Sequence, residues 1–316
     1  MKRFWFLTII VGGCLVILEV YLRVFLGLTN SVIYVPDEEI GYLPAPSQQT
    51  NRMGNRVEVN EYSMRSPPIS PAPAPQTLRI LILGDSIANG GWWTDQSQTL
   101  SALISQQLEK SGQLPPRFNR VEVLNASASS WGPPNHIAYL RKFGDFQSQV
   151  LLLVLNTDDL FTKPPSSRLV GRDPSYPDHR PQFAVLELLR RYLLPPSPVP
   201  APPAAPPDLV GFNLAALQEI WKVATANHQK LIVVITPLKR EVVEDGPRDY
   251  EQLAKQRLEA WSQNVSVPYI DFLPVFQGMG SPSSLYRDSI HLKPTGNQLV
   301  TQEIIQRVLT ELESLH

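Results

Sequence analysis

Three short stretches of this chain, residues 79–83, 150–155 and 231–235, are almost wholly apolar and too short to be ordinary helices. A strand reads this way when both faces of its sheet are covered. Two weaker strands are expected at 121–124 and 269–271. Helical patterns lie between and beyond them, at 99–110, 135–143, 183–193, 211–227, 250–263 and 295–315. The second follows Pro133-Pro134, where a helix start tolerates proline. Strands alternating with helices form a parallel sheet, here of about five strands. Right-handed crossovers then place helices on both faces, so the expected fold is a three-layer α/β/α sandwich.

Composition agrees with a packed domain and narrows the function. Of 316 residues, 43% are hydrophobic and 18% charged. The formal net charge is -1 and no Lys/Arg stripe runs along any segment, so nucleic acid is not an expected partner. One cysteine, Cys14, leaves no internal disulfide to form. The 31 prolines cluster. Residues 29–76 carry little periodicity and include the run at 67–75, which reads as an extended, stiff spacer. Residues 195–207 are nearly all Pro, Ala, Ser and Val, an exposed insertion between two helices. The expected division is a membrane segment at 1–28, a proline-rich juxtamembrane region at 29–76, and a catalytic-type domain at 77–316.

The first 28 residues fit a transmembrane helix. An apolar run from Phe4 to Leu18 follows Lys2-Arg3 and resumes after Glu19, giving about the 20 residues a bilayer requires. Glu19 and Arg23 are four apart and can neutralise each other on one helix face. The two leading cations favour a cytoplasmic N-terminus, which puts the rest of the chain on the extracytoplasmic, periplasmic side of the cytoplasmic membrane. Three readings compete. A retained signal-anchor accounts for the length. A cleaved signal peptide lacks its small-residue site. Val11-Gly12-Gly13-Cys14 has the form of a lipidation signal, but the chain stays apolar after the cysteine.

Chemistry is sought after the strands, because ligands of open parallel sheets bind at the carboxyl ends. The first strand ends in Gly84-Asp85-Ser86, where a serine hydroxyl can serve either as nucleophile or as helix cap. Near the C-terminus stands Asp288-Ser289-Ile290-His291-Leu292-Lys293-Pro294-Thr295-Gly296. A nucleophilic serine needs a base and a carboxylate that orients the base, and Asp288 lies within reach of His291. The other histidines, His136, His179, His228 and His316, lack a comparable partner and read as structural or surface residues.

Together the two motifs resemble the SGNH, or GDSL, hydrolase family over almost the whole soluble domain. Ile40-Gly41-Tyr42-Leu43-Pro44 and Val59 to Arg65 are similar to the lead-in of its membrane-tethered bacterial members. The resemblance implies a flavodoxin-like sheet and a serine O-ester hydrolase: Ser86 attacks, His291 takes and returns the proton, Asp288 orients His291. It implies no metal or organic cofactor. No G-x-S-x-G elbow is present, which separates the chain from ordinary α/β-hydrolases. The family's oxyanion-hole donors map onto the backbone of Ser86, onto Ser130 in place of a glycine, and onto Asp158, where the family carries asparagine. An ionised Asp158 would oppose an oxyanion, so Asn156 or a protonated Asp158 is the expected substitute. Trp92, Trp93 and Trp131 are expected at the mouth, against substrate or beneath the loops. The expected substrate is an ester, acylated glycan included, with esterase, deacetylase, lipase-like and O-acyltransferase activity all open. The alternative is a degenerate domain that binds glycan or scaffolds an envelope assembly, suggested by Asp158 and the insertion.

Overall fold

A computed structural model describes residues 1–195, 197–244 and 246–313. The expected end of the last helix at Leu315, as well as His316, lies outside these residues. The chain opens with α1 (Lys2–Val24), in which Arg3–Val24 is long and apolar enough to cross a membrane. Glu19 and Arg23 pair along it, 2.5 Å apart.

Residues 29–76 differ from the extended spacer expected of them. They form two antiparallel hairpins, β1 (Tyr34–Asp37) with β2 (Gly41–Pro44), and β3 (Gln48–Arg52) with β4 (Asn55–Val59). The signal was hidden because polar residues occupy the inward positions of β3: Gln48, Thr50 and Arg52 are buried and Gln49 and Asn51 exposed. The turn is set by Met53 and Gly54, both at positive φ. The proline run is fastened as well. Buried Arg79 donates to the carbonyls of Ser70 and Pro71, at 3.0 and 2.9 Å, while pairing with Glu122.

The central sheet is all parallel and has five strands. In chain order they are β5 (Thr77–Gly84), β6 (Arg120–Ser127), β7 (Val150–Asn156), β8 (Lys230–Thr236) and β9 (Tyr269–Asp271), arranged β6-β5-β7-β8-β9. Between the strands run α2 (Ser86–Asn89), α3 (Leu100–Ser111), α4 (Pro133–Phe143), α5 (Ala184–Tyr192), α6 (Leu209–Ala226), α7 (Lys239–Val243) and α8 (Asp249–Asn264). After the sheet come α9 (Phe272–Gln277) and α10 (Pro294–Glu313). The strand period of two divides the core. Leu78, Ile80 and Ile82 of β5 join Leu100 and Ile104 of α3 and Val300 and Ile304 of α10. Leu81 and Leu83 join Ile137 of α4, Leu217 of α6 and Leu258 of α8 on the other face. The sandwich has three layers, as expected. The described part of 195–207 has no regular secondary structure and joins α5 to α6. Strand order reverses around β5, which opens a crevice between the carboxyl ends of β5 and β7.

Candidate active site

Gly84 closes β5 where no larger residue fits: a Cβ there would stand 2.5 Å from Ala88 Cβ and 3.0 Å from the Val154 carbonyl. The chain turns directly into α2. Asp85 caps that helix, accepting the Ile87 N–H at 2.7 Å. Ser86 is its first residue, so its own N–H has no partner within the helix.

The crevice brings Ser86 and the C-terminal motif together. Ser86 Oγ lies 2.9 Å from His291 Nε2. His291 Nδ1 lies 2.9 and 3.0 Å from the two oxygens of Asp288. Asp288 Oδ1 also accepts the N–H groups of Ile290 and His291, at 3.0 and 2.8 Å. Partial burial opposes ionisation of Asp288, but these two N–H groups and the imidazole outweigh it and hold the carboxyl below its ordinary value.

The third-strand candidates separate. Asn156 is buried and held on three sides. Its amide Nδ2 donates to Asp85 Oδ2 at 2.7 Å, its Oδ1 accepts the Asp158 N–H at 2.7 Å, and its own N–H donates to Asp159 Oδ2 at 2.9 Å. One amide proton of Asn156 is therefore engaged by Asp85, and an amide nitrogen carries two. Asp158 contributes its backbone N–H to this network, while its carboxyl is exposed. Partial burial, with the Glu251 charge next in weight, pushes that carboxyl up. Ser130 lines the same cavity as these residues, at φ 60, in the left-handed region. Tyr176 holds it with a hydroxyl 3.0 Å from Ser130 Oγ, and Tyr176 packs in turn on Tyr34 and Tyr42 of the first hairpin.

Of the three tryptophans, two sit at the mouth. Trp93 packs on the His291 ring at 4.5 Å between centroids, and Trp92 stands edge-on to Trp93. Trp131 does not belong with them. It is fully buried, donates its Nε1–H to the Tyr42 carbonyl at 3.1 Å, and packs on His136 and Tyr139. Ser130 turns the backbone just before it, which sends the indole beneath the first hairpin. His136 is buried beside it, and burial pulls its imidazole down to about 3, so it is neutral.

Several groups at the site were not foreseen. Asp85 accepts from Asn156, and its Oδ2 stands 3.3 Å from Ser86 Oγ, whose single proton is shared with the shorter contact to His291. Burial raises its carboxyl from 3.8 to about 6, against the Ile87 N–H and the His291 charge. Asp159 is pushed up too, by burial and by Asp85. Arg65, from the lead-in, is buried and donates to the carbonyls of Asn89, Gly91 and Thr94, each at 2.5 Å. It thereby clamps the loop that carries Trp92 and Trp93. Arg287 stacks over both indoles, 5.2 and 4.6 Å from their centroids. The Asp85 role was visible in principle, since an aspartate before a helix start is a cap; that of Arg65 was not, since its partners lie 24 to 29 residues further on, in a loop.

Ser86 stands between two cavities. One, of about 610 Å³, runs past His291, Trp92, Trp93 and Tyr176 to Arg191 of α5. The other, of about 410 Å³, runs past Asn156 and Asp158 to Pro202 and Pro203, so the proline-rich insertion forms part of its wall.

A sequence model of the GDSL-like lipase/acylhydrolase family matches residues 82–299. Solved structures with a similar fold include an alpha/beta hydrolase enzyme from the metagenome of Lake Arreo, Spain, at 15% identity over 74% of this chain and 95% of that chain, TM-score 0.47. The acetyl xylan esterase AlAXEase is 13% identical over 73% of this chain and 99% of that chain, TM-score 0.48. A lipase/acylhydrolase from Enterococcus faecalis is 13% identical over 74% of this chain and 96% of that chain, TM-score 0.46. No curated protein matches the chain.

Proposed function

The chain belongs to the GDSL-like lipase/acylhydrolase family and is a serine hydrolase of ester bonds, and from that premise we propose that Ser86, His291 and Asp288 are its catalytic residues and that it works outside the cytoplasmic membrane, anchored by α1. The observation that carries this reading is the unbroken line of hydrogen bonds from Ser86 Oγ through both ring nitrogens of His291 to Asp288.

Ser86 Oγ attacks the ester carbonyl while its proton passes to His291 Nε2. Asp288 fixes the ring with Nδ1 protonated and stabilises the imidazolium that forms. The oxyanion is met by the N–H of Ser86, by the Ser130 turn and by the second amide proton of Asn156. His291 then returns its proton to the leaving alcohol oxygen, which breaks the C–O bond and leaves an acyl group on Ser86. Water, deprotonated by His291, releases the acid and restores the serine; a sugar hydroxyl in place of water would make the step an acyl transfer. Support for a working site, over a domain that only binds, comes from the third-strand loop. Asn156 rather than the Asp158 carboxyl reaches the neighbour of the nucleophile. Trp92 and Trp93 at the mouth suit the ring of an acetylated glycan, which is the substrate class we favour.

The test is hydrolysis of p-nitrophenyl acetate by the full chain beside Ser86→Ala. Turnover is expected in the parent and background in the variant. Equal rates in the two would sink the assignment.

A further inference from the structure

We infer that α5 is a second membrane-contacting element, lying in the phospholipid headgroup layer beside the end of α1 and seating the catalytic cavity against the bilayer. The inference rests on the proposed anchoring by α1 and goes beyond it.

The depth of α5 is fixed by one side chain. The Glu19 carboxylate accepts the N–H groups of Ala184 and Val185, at 2.8 and 3.0 Å, and so caps the start of α5. Arg23 holds the same carboxylate and also donates to the Gln182 carbonyl just before the helix. Glu19 is five residues inside the end of the apolar span Arg3–Val24, which at helical rise is about 7 Å. The headgroup layer on each side of a bilayer is roughly 5–7 Å thick. The whole 22-residue span is about 33 Å long at helical rise, little more than the roughly 30 Å hydrocarbon core, so the N-terminus of α5 stands near the outer edge of the hydrocarbon, where an uncapped N–H would be costly. Leu22, Leu26 and Leu28 pack with Ala184, Val185 and Leu188, so the two helices share an apolar joint.

The composition of α5 suits that place. Its inner face carries Ala184 and Glu187, both buried. Its outer side carries half-buried Leu186 and exposed Leu189 and Tyr192, with Phe183 just before the helix and Leu193 just after it; Leu193 is 74% and Phe183 57% exposed. Tyr21, Val24 and Phe25 at the end of α1 are exposed apolar side chains as well. Exposed Arg190 supplies a cation beside this face, and cations there favour lipid phosphates. An exposed apolar face edged by a cation is the signature of an interfacial helix. Arg191, on the inner side, lines the larger catalytic cavity, as do Ser31 and Val32 just beyond α1. The cavity thus reaches the layer that α5 occupies, and an ester on a membrane-resident amphiphile could enter it without leaving the bilayer surface.

The test uses the full chain in phosphatidylcholine–phosphatidylglycerol vesicles, labelled with the environment-sensitive fluorophore NBD at single cysteines. Native Cys14 reports on α1. Leu189→Cys or Leu193→Cys reports on α5 and Glu303→Cys on α10 reports on the aqueous side, each with Cys14→Ser. The expected result is blue-shifted emission at 189 and 193, lost on adding lipid spin-labelled near the headgroup and insensitive to iodide, while 303 shows the reverse. If 189 and 193 behave like 303 while Cys14 is quenched by lipid, α5 is not in the membrane and the anchor stands. Cys14 unquenched as well would sink the anchor and this inference with it. Emission that follows protein density instead of spin-labelled lipid would assign the face to a second copy and overturn the inference.

Discussion

At the scale of single residues, the site depends on which carboxyls are charged. Asp288 is held ionised by two N–H groups and by His291. Its replacement Asp288→Asn keeps the shape but lets the imidazole adopt the wrong tautomer. A fall in kcat of about 100-fold or more with KM little changed is expected, read from steady-state kinetics on a soluble ester. Asp85 is the opposite case. Unfolded, it releases its proton near 3.8, and folded, near 6. The native state holds an extra proton between those values, so the contribution to stability is full below pH 4 and is lost as pH rises through 6, by on the order of 3 kcal/mol. Asp85→Asn keeps an acceptor at the cap and removes the titration. Chemical denaturation of the full chain at pH 4 and pH 7 should show a smaller drop for the variant than for the parent, with Asp159 accounting for what remains. Parallel drops in the two proteins would mean that Asp85 is not the group responsible.

At the scale of elements, Arg65, which follows the second hairpin, fastens the loop that carries Trp92 and Trp93 to the lead-in. Burial pulls its guanidinium down to about 10, which leaves it charged near neutrality, and three loop carbonyls depend on it. Arg65→Met would strand those carbonyls at a cost of about 1–3 kcal/mol each where water cannot reach them. A lower denaturation midpoint is expected, with a fall in kcat that persists where the variant is fully folded, because Trp93 no longer packs on His291. An unchanged kcat would show that the loop holds itself. The contrast between this link and the strands explains what the sequence made legible. The strands β5, β7 and β8 announce themselves through uninterrupted apolar runs, and Ser86, Asp288 and His291 through short motifs whose parts are near in sequence or at a strand end. The hairpin strand β3 presents Gln48, Thr50 and Arg52 inward, and polar residues in a row read as loop. Trp131 and Asn156 turned on the path of a loop: an αL residue at Ser130 buries one, and a network of three bonds aims the other. Periodicity carries no information about either.

At the scale of the whole molecule, α1 is joined to the domain through Glu19. Glu19→Gln removes the charge while leaving the span apolar, and loss of a cap is worth about 1 kcal/mol. Hydrogen exchange at the amides of Ala184 and Val185 is expected to quicken about fivefold in vesicles, and no change there would show that the cap is idle. No slack chain intervenes beyond that joint either: the hairpins fold back on the domain, and Arg79 ties down the proline run that follows them. On the anchor reading, an enzyme mounted this way is not a ball on a leash. It searches a plane, and toward any ester that also resides in the membrane it responds to how many target molecules occupy each unit of area rather than to how many fill a volume.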